Sequence, residues 1–116
     1  MTRSERLTKQ HRLLTAASFQ SILKDPGLRK SRGQLQLVAA RNTIAHARLG
    51  LIVPKRVVPH AHDRNRVKRV IREAFRRRAG ALPALDLIFR VRQPTAEPGL
   101  QECLGWLLDW VEEQQC

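Results

Sequence analysis

Apolar residues recur along this chain with two periods. In residues 63–78, DRNRVKRVIREAFRRR, Val67 is followed by Val70, Ile71, Ala74 and Phe75 at offsets of three, four, seven and eight. That spacing is one face of an α-helix. Leu100, Cys103, Leu104, Leu107, Leu108 and Val111 keep the same spacing and predict a C-terminal helix, with Thr95 as a cap for it. A shorter stripe of Phe19, Ile22 and Leu23 predicts a helix over residues 16–23, N-capped by Thr15 and stopped by Asp25-Pro26-Gly27. Period two begins at Leu35 and Leu37, so residues 34–41 read as a strand. Residues 47–53 and 86–92 are compact apolar runs and read as further strands. Pro54 breaks the 47–53 strand, and residues 55–58 are expected to continue it. Asp63 is the N-cap candidate of the basic helix, which should stop near Gly80. Residues 28–33 read as a basic loop.

Helix, two or three strands, helix, strand, helix is the order of a small α+β sandwich, with helices packed on a sheet. At 116 residues and 42% apolar, the chain is one domain, 1–116, with enough material for a core. Its first eleven residues are expected to be extended or disordered.

Charge sharpens this picture. The net charge is +12, and it is divided unevenly. Residues 1–92 hold all 22 basic residues and five acids, whereas residues 93–116 hold five acids and no Lys or Arg. On the basic helix, Asn65, Lys68, Arg69, Arg72 and Arg76 fall opposite the apolar stripe at about 100° per residue. Like charges at i,i+4 repel, and only Glu73 offsets them. Arg64 and Arg66 stand near the positive end of the helix dipole. A face so costly to the isolated helix points to a polyanionic partner. Arg makes up 17 of the 22 cations, and its planar fork suits phosphate.

No apolar run approaches the roughly 18 residues of a membrane-spanning helix, and no signal-peptide pattern opens the chain. A cytosolic location is expected, with Cys103 and Cys116 reduced. Catalysis by the protein itself finds no support: there is no P-loop, no G-x-S-x-G, no H-E-x-x-H, and no two acids at a spacing that suggests a paired general acid and base. The histidines, His11, His46, His60 and His62, do not form a metal-ligand spacing. Aromatic residues are only 4% of the chain, so extensive base stacking is not expected. No helix-turn-helix precedes the basic helix and no heptads follow it, which favours RNA over DNA.

Arg64-Asn65-Arg66-Val67-Lys68-Arg69, continued by Ile71-Arg72-Glu73-Ala74-Phe75-Arg76, resembles the RNR helix of the bacterial ribonuclease P protein component. Arg12-Leu13-Leu14-Thr15 with Ser18-Phe19 is similar to that family's first helix, and Arg48-Leu49-Gly50-Leu51 with Val53 and Lys55-Arg56 to its strand before the RNR segment. Leu85-Asp86 with residues 88–92 is similar to its last strand. The resemblance implies four strands and three helices in the order α-β-β-β-α-β-α, with a left-handed crossover through the basic helix. It implies a subunit that joins a catalytic RNA and a precursor tRNA as a monomer in a 1:1 ribonucleoprotein, with Mg²⁺ held mainly by RNA and no metal site on the protein. By position, Arg64, Asn65, Arg66, Lys68, Arg69, Arg72 and Arg76 would contact the RNA subunit. Phe19, Leu23, Val38, Lys55 and Arg56 would form the cleft for the 5′ leader. Many members carry aromatics where Leu23 stands and near Val38, so stacking is reduced here. Two other classes predict different behaviour: a ribosomal or assembly protein would bind RNA without affecting leader removal, and a nuclease would cleave alone.

Overall fold

The alternation of Leu35, Leu37 and Ala39, together with Leu87, Phe89 and Val91, builds the centre of a sheet. A computed structural model describes residues 16–42, 44, 46–94 and 97–114. The elements are α1 (Ala16–Lys24), β1 (Leu28–Arg32), β2 (Leu35–Arg41), β3 (Arg48–Ile52), α2 (Ala61–Arg78), β4 (Leu85–Val91) and α3 (Glu97–Glu112), with one 3₁₀ turn at Ala79–Ala81. The strands form a single sheet in the order β1-β2-β4-β3. β2 pairs antiparallel with both β1 and β4, while β3 runs parallel to β4. Parallel neighbours need a crossover, and α2 supplies it. The α+β order expected from the sequence is the order observed.

Successive side chains on a strand point to opposite faces, and the two faces of this sheet differ. Leu35, Leu37, Ala39, Leu49, Leu87, Phe89 and Val91 lie on one face. They form the main core with Val67, Ile71 and Phe75 of α2 and Leu100, Leu104, Leu107, Leu108 and Val111 of α3. The other face holds a smaller cluster, in which Ile22 and Phe19 of α1 meet Val38, Ile88 and Ile52. α1 thus covers part of one face, and α2 and α3 cover the other.

Three expectations are corrected. Residues 28–33 are not a basic loop: Leu28–Arg32 is the edge strand β1, joined to β2 by a two-residue hairpin turn. Gly33 in that turn has φ +56°, and a Cβ there would stand 2.7 Å from Cys103 Sγ, so glycine suits both the turn and the close approach. Lys30 and Arg32 lie on the core side of β1, over the Trp106 and Trp110 rings at 4.7 to 5.7 Å. This cation–π packing makes a charged segment fit a strand. Second, α2 starts at Ala61, with extended His60 as N-cap in place of Asp63. The Arg64 N–H donates to His60 O at 3.0 Å, and Asp63 sits in the first turn, where the helix dipole favours it. Third, residues 55–58 do not extend β3: the N–H groups of Val57 and Val58 both bond Pro54 O, which curls the chain into a turn. Thr15, Thr95 and the N-terminal lead-in lie outside the described residues.

Candidate nucleic-acid interface

The charge of α2 depends on which way each side chain leaves the helix. Val67, Ile71 and Phe75 are buried and fix its rotation. Asn65 and Arg69 are exposed and Lys68 and Arg72 half-exposed on the outward flank. Among the described residues, no ion pair involves Lys68, Arg69 or Arg72. Arg76, on the same flank, donates to Glu73 Oε1 at 2.7 Å. This hydrogen bond, and the charges of Arg76 and Arg77, hold the Glu73 carboxyl below its ordinary range.

The two arginines of the RNR segment part company. Arg64 is half-buried, and its Nη1 donates to Val58 O and Pro59 O at 3.0 and 2.8 Å. It ties the helix start to the loop before it. Arg66 is exposed beside His62, at 3.2 Å, on the flank nearer α3. At the other end, Arg78 Nη1 bonds Asp109 and Glu112 and locks α2 to α3. The hydrogen bond to Asp109 raises the Arg78 guanidinium above its ordinary value.

The α1 side of the sheet forms the second surface. Phe19 is half-buried against Ile22, Val38 and Ile88, while Leu23 beyond it is 40% exposed. Val38 is buried at 4%, so it supports the floor beneath Phe19 and offers little contact area. Lys55 and Arg56 are exposed in the turn after β3. The sheet register adds residues that motif reasoning missed. Ser31, Gln36, Arg90 and Ile52 form one row across this face, and Arg29 lies in the next row with Val38 and Ile88. The alternation Ile88, Arg90 within β4 is the sequence signal that places Arg90 here.

One edge of this face is held by a buried acid. Arg48 Nε and Nη2 donate to the two oxygens of Asp86, both at 2.8 Å, and Asn42 Nδ2 donates to Asp86 Oδ1 at 2.8 Å. The hydrogen bond to Asp86 raises the Arg48 guanidinium above its ordinary value. The carboxylates of Asp86, Glu73, Asp109 and Glu112 are therefore counterions to Arg48, Arg76 and Arg78. They do not converge on one point, and no group of three potential metal ligands occurs among the described residues.

An α+β domain with one mixed sheet, a basic crossover helix and a partly covered second face defines a class of compact basic binding protein. The Ribonuclease P family model matches residues 7–113 of the chain. The RNase P protein of Staphylococcus aureus is 32% identical over 86% of this chain and 94% of that one, with a TM-score of 0.78. Another structure of the S. aureus RNase P protein gives 31% identity, coverage of 92% and 93%, and a TM-score of 0.76. The Thermotoga maritima RNase P protein, in complex with 1-(4-fluorophenyl)-2-thiourea, gives 26% identity, coverage of 78% and 91%, and a TM-score of 0.70. The chain belongs to the ribonuclease P protein family. Membership implies a component of the ribonuclease P holoenzyme, an RNA partner and a part in tRNA processing. Among the described residues, no helix is long and apolar enough to cross a membrane.

Proposed function

We propose that this protein docks on the catalytic RNA of ribonuclease P through the outward flank of α2 and holds the 5′ leader of precursor tRNA in the cleft beside α1. It thereby assists Mg²⁺-dependent endonucleolytic removal of the leader. One observation carries the reading: Lys68, Arg69 and Arg72 project from a helix anchored by Val67, Ile71 and Phe75, and no acid of the described residues pairs with them. Cations fixed in this way neutralise phosphates and release counterions with little ordering cost. Within the cleft, Phe19 would offer a partly open ring to a base, with Arg90 on the same sheet face and the exposed Lys55 and Arg56 of the turn after β3 as the cations for its phosphates.

The protein supplies binding and orientation, and the hydrolysis belongs to the RNA. The Mg²⁺ ions lie mainly with RNA and substrate; in support, no group of three potential metal ligands occurs among the described residues, and Asp86, Glu73, Asp109 and Glu112 are paired with arginines. The acidic residues Glu102, Asp109 and Glu113 keep the outer side of the α3 end of the molecule away from RNA. The protein acts in the cytoplasm as one copy per RNA. Reconstitution with the cognate RNA and a precursor tRNA tests this: added protein should restore cleavage at low Mg²⁺. RNA binding without any gain in leader removal would favour an assembly role, and cleavage by protein alone would contradict the division of labour.

A further inference from the structure

A groove of about 620 Å³ runs between α2 and α3. Its rim on α2 carries Arg66, Arg69 and Arg77, all exposed. Its floor is apolar, with Val70 and Ala74 from α2 and Leu104 and Leu108 from α3. The one acid in its wall, Glu73, is engaged by Arg76 at 2.7 Å and faces Arg77 at 3.9 Å. α3 is the acidic helix of the molecule, yet it contributes only Gln101, Leu104, Gly105 and Leu108 to the groove. Its exposed acids Glu102 and Asp109 lie outside the lining.

Gly105 is the second observation. It sits inside α3, where glycine is unfavourable, without the positive φ that would require it. Nor does packing require it, because nothing lies within 4 Å of a Cβ placed there. What the missing side chain does is leave the groove floor open. An apolar slot with a cationic rim matches a flat base attached to a phosphate.

We propose that the α2–α3 groove holds an unpaired nucleotide of the RNA subunit, its base on the floor at Gly105 and its flanking phosphates on Arg66, Arg69 and Arg77. The proposal rests on α2 being the RNA-facing helix, and it adds a defined receptor for one extruded base. Such a pocket reads an unstacked nucleotide, whereas charge on the helix alone reads only backbone.

Gly105→Leu is the direct test, since it fills the groove while favouring the helix. With full-length protein and the cognate RNA at fixed salt, it should raise Kd about tenfold without lowering Tm, the loss expected for one base contact. Gly80→Ala, where nothing lies within 4 Å, is the control and should bind as the parent does. Arg77→Gln, at an exposed position, keeps the test open should Gly105→Leu fold poorly. It should weaken binding several-fold in the parent and much less in the Gly105→Leu background, because both changes remove one contact. Binding within twofold of the parent for Gly105→Leu, or for Arg77→Gln, overturns the proposal. AMP is the small-molecule arm: saturable micromolar binding that Gly105→Leu abolishes would assign the groove to a free nucleotide and overturn the RNA assignment. A parent protein that fails to bind RNA at all would instead overturn the functional reading beneath the proposal.

Discussion

Arg64 turns its guanidinium back onto Pro59, with Nη1 2.8 Å from the carbonyl oxygen, while Arg66 two residues on stands in solvent. The two arginines of one motif therefore have different duties. Arg64→Ala should cost about 1–2 kcal/mol of stability, the value of charged hydrogen bonds to backbone. Arg66→Ala should leave urea melting unchanged and weaken RNA-subunit binding. It should also weaken assembly more than Arg29→Ala, since Arg29 extends from an edge strand on the opposite face of the sheet. Equal effects of Arg66 and Arg29 on assembly would contradict α2 as the main RNA face.

Asp86 anchors Arg48 and Asn42 across two strand ends. With Asp86 buried, at 6% exposure, Asp86→Ala leaves Arg48 and Asn42 without their acceptor and should cost about 3 kcal/mol. The loss should appear as a lower denaturation midpoint at an unchanged m-value.

Phe19 packs half-buried on the α1 face of the sheet, and on the proposed reading the substrate rather than the RNA subunit should sense it. Phe19→Ala should reduce affinity for leader-bearing precursor roughly tenfold, as expected for one stacked base. Mature tRNA should bind as before. Because Phe19 is only half-buried, the stability cost should be about 2 kcal/mol, below that of a full core truncation. Parallel loss for both tRNAs in a folded variant would remove the cleft assignment.

Glu73 gives a pH dependence of known sign. Its hydrogen bond to Arg76 lowers its pKa below the ordinary 4.5. The carboxylate is thus stabilised by the fold, and that contribution is complete above pH 4.5 and lost as pH falls through the lowered value. Thermal melts of the parent and Glu73→Gln should differ at neutral pH and converge in acid. Divergence on acidification would reverse the assigned sign.

The sequence disclosed what repeats locally. The stripe from Val67 to Phe75 and that from Leu100 to Val111 are the core faces of α2 and α3, and alternation at Leu35 and Leu37 marks the inner face of β2. β1 was hidden because two of its three inward positions are Lys30 and Arg32. Their partners, Trp106 and Trp110, come from the far end of the chain. The hold of Val58 O and Pro59 O on Arg64 was not legible, because those carbonyls belong to a loop whose path no periodicity describes. The groove beside Gly105 was equally hidden, since it exists only once two helices pack.

Salt dependence of binding to the cognate RNA tests the central claim most directly. If Lys68, Arg69 and Arg72 meet phosphates, replacing all three by Gln should leave the fold intact. It should also reduce the slope of log K against log salt by about 2–3, close to one per lost contact. A triple variant with the parent's slope and affinity would contradict the assignment of this flank of α2 to RNA.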